Sequence, residues 1–286
     1  MAISVQDSEI ALSMRYYWSK LFQKYDIAAN ETEKAPITKK VNRSDCPNEP
    51  IKPLKSIYLS TVGSILFGFT HCRLDIAYAI GALTKVMHNP APVHMGQARH
   101  LLKYLNQTKE WDLNFYRDGS IKYNSDFVFF GNVDSSSADN EGCDSTGGWF
   151  YFLGEGQGAI SARSGTSGDI ALSPTEAETM RASNCSKQGA FIKQFLDEPR
   201  LFKSVKFELR EDSKPMMSAQ LKNVSASRFR HLKVKYHYIR RLIYASWCSL
   251  VKIDTGDQTA DLTTKILPVS TVEKHSRTVL GISVQT

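Results

Sequence analysis

Four acidic residues stand where the chain changes direction: Asp134 in GNVDSSSAD, Glu178 in SPTEAET, Asp212 in ELREDS and Asp261 in QTADLTT. Carboxylates from separate elements, gathered at one end of a sheet, make a hard-oxygen donor set suited to Mg2+ or Mn2+. Two such ions roughly 3.5–4 Å apart activate a water and stabilise the leaving oxygen in phosphodiester hydrolysis. The stretch ALSPTEAETM, residues 171–180, gives this set its weight. Ser173 is a preferred N-cap, Pro174 suits the first helical position, and Glu176 can complete a capping box. Glu178 lacks such a local reason. From it, steps of four and three reach Ala182, Cys185, Gly189, Ile192 and Leu196, one apolar stripe. A carboxylate at the head of that row is costly unless it is paired, hydrogen-bonded or metal-bound. A first-turn glutamate satisfied by the helix N-terminus and water is the plainer alternative. Strand parity groups Asp212 with Lys206, Glu208 and Arg210, so Glu211 is a rival for the third acid.

A second constellation is basic. Residues 228–241, RFRHLKVKYHYIRR, hold Arg228, Arg230, Lys233, Lys235, Arg240 and Arg241 and no acid. Phe229, Leu232, Tyr236, Ile239 and Ile243 recur at helical spacing and predict a packing stripe. Arg230, Lys233, His237 and Arg240 form the neighbouring row. By itself such a row is a solvated face over a core; beside a metal-carboxylate site it suits the phosphates of a nucleic acid.

The elements that must position these groups fall into two textures. Residues 12–27 predict an amphipathic helix, and 31–53 are polar and proline-bearing, a linker or long loop. Three helical segments follow, up to about 120. Strands then appear: 127–133 is nearly continuous apolar, 145–162 reads as two strands joined by a Gly-rich turn, and 205–209 alternates. The order β-β-β-α-β-α-β-α, with a short helix at 258–265 and a helical tail, predicts a three-layer α/β domain after a helical region.

Composition bounds the possibilities. With 286 residues, 42% hydrophobic and 10% aromatic, the chain has room for one large or two ordinary cores and is not a disordered polypeptide. A net charge of +7 suits a polyanionic partner. Five scattered cysteines, with no C-x-x-C, indicate neither a zinc site nor a disulfide framework. No apolar run approaches membrane-spanning length, so a soluble protein is expected.

Several stretches together resemble a known family. YLSTVGSILFGFTHCRLDIAYAIGALTKVMHNP with ARHLLKYLNQT is similar to the segment after the polymerase palm in copia-type (pseudovirus) LTR retrotransposon Pol polyproteins. GNVDSSSADNEGCDSTGGWFYFLG, ALSPTEAETMRAS, SRFRHLKVKYHYIR and DQTADLTTKILP are similar in order and spacing to that family's ribonuclease H domain. The resemblance covers nearly the whole chain. It implies an RNase H-like three-layer mixed sheet with flanking helices, cleavage of the RNA strand of RNA–DNA hybrids, and two Mg2+ ions, for which Mn2+ can substitute. It also implies a C-terminal Pol fragment of four parts: palm or thumb helix over 1–30, linker over 31–53, helical thumb and connection over 54–120, and the RNase H-like domain over 121–286. Asp134, bridging both metals, and Glu178, Asp212 and Asp261 fall at the family's four metal-binding acids. Arg228, Arg230, Lys233, His237 and Arg240 would face nucleic acid. The chain departs from the family at Ser137, where an aromatic is usual, at Cys143 and Asp144, where basic residues are usual, and at Glu211-Asp212-Ser213, usually Cys-Asp-Asn-like. A catalytically inactive nucleic-acid-binding remnant is the alternative. No adjacent pair of aspartates occurs in the chain, so no polymerase activity is expected. The implied partners are the hybrid and the rest of a Pol polyprotein, palm and integrase included. The implied setting is the cytoplasm within virus-like particles, or the nucleus, without a membrane.

Overall fold

The computed structural model describes residues 1–117, 119, 121–136, 145–166, 171, 173–221 and 233–283. The chain forms two units: Met1–Tyr116, Gly156–Gly158 and Lys265–Thr286 in one, Arg117–Glu155 and Ala159–Thr264 in the other.

In the first unit, strands β1 (Ala2–Val5), β2 (Glu9–Ser13) and β3 (Leu113–Tyr116) form an antiparallel sheet in that order. The sequence reading gave this region helices alone. The strands are four or five residues long, and all of β1 is exposed, so no alternating pattern marks them. Helices α1 (Arg15–Lys24), α2 (Lys52–His71), α3 (Ala77–Thr84) and α4 (Pro92–Gln107) fall close to the expected segments. Ala98, Leu101, Leu102 and Leu105 of α4 are all fully buried, as their spacing predicts. Arg73 and Asp75 are also fully buried, and every strong donor has an acceptor nearby. Arg73 Nη2 donates to Asp75 Oδ2 at 2.8 Å and Nη1 to the Thr108 carbonyl at 3.1 Å, while Tyr104 Oη donates to Asp75 Oδ2 at 3.0 Å. A buried ion pair is tolerated on those terms. Part of the segment read as a linker is held by α4: Asn106 Nδ2 donates to the carbonyls of Ala28 and Glu31, both at 3.0 Å, and Gln97 Nε2 to that of Lys40 at 2.9 Å.

The C-terminal helix Val269–Val279, which the sequence reading ascribed to the second domain, groups with this first unit. Val279 and Leu280 are fully buried, the Asn114 N–H donates to the Leu280 carbonyl at 2.9 Å, and Arg277 lies 5.3 Å from the Trp111 ring centroid.

The second unit is a mixed sheet of β4 (Asp126–Ser136), β5 (Thr146–Phe152), β6 (Ala159–Thr166), β7 (Ser204–Glu211) and β8 (Cys248–Lys252). The order is β6-β5-β4-β7-β8, antiparallel through β6, β5 and β4, then parallel through β4, β7 and β8. Helices α5 (Pro174–Asp197) and α7 (Lys233–Tyr244) cover one face, over Phe129, Tyr151, Phe207 and Leu209. A further helix, α6 (Lys214–Leu221), follows β7. Gly189 lets α5 approach, because a Cβ there would fall 2.5 Å from Tyr151 Oη and 2.7 Å from the Phe207 ring. This is the three-layer mixed-sheet architecture implied by the resemblance. The third layer is a short 3-10 helix, Thr259–Thr263, against the other face.

Candidate active site

The 3-10 helix is clipped to β4 and β6 by side chains. Gln258 Nε2 donates to the Val133 carbonyl at 3.0 Å, Asn132 Nδ2 to Thr259 Oγ1 at 2.6 Å, and Ser164 Oγ to the Thr263 carbonyl at 2.6 Å. Gly148 makes room, since a Cβ there would fall 2.0 Å from the Arg163 carbonyl oxygen and 2.5 Å from the Thr263 side chain. The clip sets the turn that carries Asp261 against the strand that carries Asp134. Thr264 joins them: its hydroxyl donates to Asp134 Oδ2 at 2.5 Å and lies 3.3 Å from the Asp261 carbonyl. Asp134 and Asp261 are both buried, at 8% and 7% exposed.

Helix α5 brings Glu178 to the same end of the sheet. Ser173 caps the helix, its Oγ accepting the Glu176 N–H at 3.3 Å. The stripe Ala182, Cys185, Gly189 and Ile192 is buried as its spacing predicts. The two glutamates differ from expectation: Glu176 is buried and Glu178 half-buried. Glu178 lies where the stripe runs past the strand ends, and its Oε2 accepts the Ser213 hydroxyl at 2.5 Å.

β7 ends on Glu211, and Asp212 follows it. Glu211 is 1% exposed, on the face that carries Val205, Phe207 and Leu209. Its Oε1 accepts the Ser213 N–H at 3.3 Å, and its Oε2 is buried with no hydrogen-bond partner. Asp212, half-buried, accepts from Thr255 Oγ1 at 3.0 Å through Oδ2.

The acids repel one another. Burial, followed by the charges of Asp134, Glu178 and Asp212, pushes the Glu211 carboxyl well above the usual carboxylate range. Burial and the charges of Asp134 and Asp212 also raise Glu178, against the pull of the Ser213 hydroxyl. Glu178, Glu211 and Asp212 have no ion pair with a described cation. An all-oxygen set with an unpartnered buried oxygen fits a hard divalent cation. Among the described residues, however, no three His, Cys, Asp or Glu side chains form a ready cage for a metal ion. Ser213, Thr255 and Thr264 were not singled out from sequence, because a hydroxyl-bearing residue in a loop carries no periodic signal.

The basic helix is described from Lys233 onward; Arg228 and Arg230 lie outside the described residues, as does the side chain of Lys233. Tyr236 and Ile239 are buried as expected, and His237 is exposed. Arg240 is tied along its own helix: Nη2 donates to Tyr244 Oη at 2.7 Å and Nη1 to Tyr236 Oη at 3.3 Å, with both rings within cation–π distance.

No protein-family model matches the chain. It is 29% identical over 263 residues to a retrovirus-related Pol polyprotein from the tobacco (Nicotiana tabacum) transposon TNT 1-94, a match over 90% of this chain and 19% of the polyprotein. The chain thus spans about a fifth of that relative's length. It is 33% identical over 137 residues to secreted RxLR effector protein 161 of Plasmopara viticola, over 47% of this chain and 90% of that protein. Among solved structures, RNase H1 from the archaeon Halobacterium salinarum NRC-1 aligns with a TM-score of 0.35 and 15% identity, covering 49% of this chain and 95% of that one.

Proposed function

Since this chain belongs to the copia-type retrotransposon Pol polyproteins, we propose that its second unit is a ribonuclease H that cleaves the RNA strand of RNA–DNA hybrids. The observation that carries the reading is the meeting of Asp134, Glu178 and Asp212 at one end of the sheet, with Glu178 raised by burial and, on top of it, by the charges of the other two. Asp134, Glu178, Asp212 and Asp261 would hold two Mg2+ ions. When bound, such ions polarise the scissile phosphate and lower the pKa of an attacking water. The chain's own residues orient the donors: Thr264 holds Asp134, Ser213 holds Glu178 and Thr255 holds Asp212. The basic row of α7, with His237 and Arg240, would take the phosphates of the duplex, its specificity resting on shape rather than sequence.

The same family membership supports a polyprotein context, with palm and integrase as partners and virus-like particles in the cytoplasm as the setting. No helix among the described residues is long and apolar enough to cross a membrane. A second reading, a binding remnant that no longer cleaves, is favoured by the absence of a ready metal cage among the described residues. Incubating the purified chain with an end-labelled RNA–DNA hybrid, with and without Mg2+ or Mn2+, separates the two. Cation-dependent cleavage that vanishes in Asp134→Asn supports the nuclease; hybrid binding without cleavage selects the remnant. Primer extension on an RNA template should yield nothing.

A further inference from the structure

The reading above gives a role to Asp212 and none to its neighbour. Glu211 is the better enclosed of the two, 1% exposed against a half-buried Asp212. Asp212 Oδ2 already accepts from Thr255, on the side of the chain leading into the 3-10 helix. Glu211 Oε2 meets no donor at all. A carboxylate oxygen closed off from water without a partner is among the more costly groups a fold can hold. Nothing in the apolar neighbourhood of Val205, Phe207 and Leu209 requires an acid at this position.

The surroundings say where this oxygen could be used. Ser213 reaches two carboxylates at once: its hydroxyl donates to Glu178 Oε2 at 2.5 Å and its N–H to Glu211 Oε1 at 3.3 Å. Glu178 and Glu211 are therefore neighbours across a single residue, on the face of the sheet that α5 covers. Asp134, at the end of the adjacent strand β4, lies close enough for its charge to add to burial in raising the Glu211 carboxyl. The unpartnered oxygen thus belongs to a group already set against a second carboxylate.

We propose that Glu211, through Oε2, supplies the β7 carboxylate to a divalent cation held with Glu178 and Asp134, and that Asp212 acts from the rim. The ion is a hard one, Mg2+ or Mn2+, because every donor is oxygen. The proposal rests on the ribonuclease reading only for the existence of a metal site.

The test uses the full chain and the metal alone, without nucleic acid. Melting temperature is measured in EDTA and across a Mg2+ series, and Mn2+ affinity by calorimetry, for wild type, Glu211→Gln and Asp212→Asn. The cation should raise the wild-type melting temperature. Glu211→Gln should lose most of that gain, bind Mn2+ about tenfold or more weakly, and melt in EDTA at or above the wild type. Asp212→Asn should keep the larger part of the gain. The opposite ranking overturns the proposal and returns the place to Asp212. A Glu211→Gln variant that misfolds or melts lower in EDTA also overturns it, because the carboxyl would then be a structural group. A wild type indifferent to both cations overturns the metal site itself, and with it the ribonuclease reading.

Discussion

Thr264→Val is the most direct probe of how the carboxylates are held. Thr264 is fully buried, and its hydroxyl donates to Asp134 Oδ2 at 2.5 Å. Valine keeps the branched outline and removes that donor. Hydrogen bonds to charged groups contribute about 1.5–3 kcal/mol net, and the loss is greater when the abandoned partner is buried. Asp134, at 8% exposed, has little water to turn to. For domains of roughly 150–250 residues, 1 kcal/mol moves the melting temperature by about 2–4 °C. The melting transition of the second unit should therefore fall by about 3–12 °C in EDTA. Thr264→Ser is the control: it keeps the hydroxyl and loses one methyl, which costs about 1 kcal/mol. Scanning calorimetry resolves the two, and hybrid cleavage should fall with Val and persist with Ser. A valine variant as stable as the serine variant would refute the reasoning, because the bond would then contribute nothing to holding Asp134.

Ser173→Ala should lower stability by about 1 kcal/mol in urea titration, since Ser173 Oγ accepts the Glu176 N–H. Cys46, partly exposed, should react with iodoacetamide at about pH 8.5 before Cys72, Cys185 or Cys248. Burial pushes the Cys72 thiol up to about 11 and Cys248 up to about 12, so mass spectrometry of the folded chain should find both unmodified. Alkylation of Cys72 at the rate of Cys46 would contradict that burial. Replacing Arg230, Lys233 and Arg240 with Ala should weaken hybrid binding and flatten its log–log salt dependence by roughly one unit per lost phosphate contact. An unchanged slope with a destabilised fold would leave α7 a packing helix alone.

Local signals survived folding better than long-range ones. Ser173-Pro174 marks the start of α5, and its stripe from Ala182 to Ile192 is buried, because capping and period are properties of adjacent residues. The relative burial of Glu176 and Glu178 was not legible, since it depends on where α5 overhangs the sheet. The pairing of β4 with β7, Asn132 beside Arg210, joins strands separated by β5, β6 and α5, and no local pattern encodes it. The strand identity of 127–133 was plain, but the mixed character of the sheet came only through the resemblance, and its order only from the structure. The clip at 258–264 was visible only as a short helix. Its purpose lies in Gln258, Thr259 and Thr264 meeting a strand more than a hundred residues earlier. The C-terminal helix shows the same limit, because an amphipathic helix reads alike whichever core receives it.

That helix makes the second unit an insertion. The first unit is closed by chain from both sides of it: Asn114 bonds to Leu280, and Gly158, from the turn between β5 and β6, bonds to Asn114. On the ribosome, the first unit closes over its C-terminal helix only once that helix has emerged, although its three strands are complete by Tyr116. The sheet of the second unit is complete at Lys252, well before that closure. A protease cutting once near Tyr116 would not free the second unit from the first, because the chain re-enters the first unit at Gly156 and again at Lys265. Removing the last twenty or so residues would likewise injure the helical unit at the other end of the sequence and leave the carboxylate cluster standing.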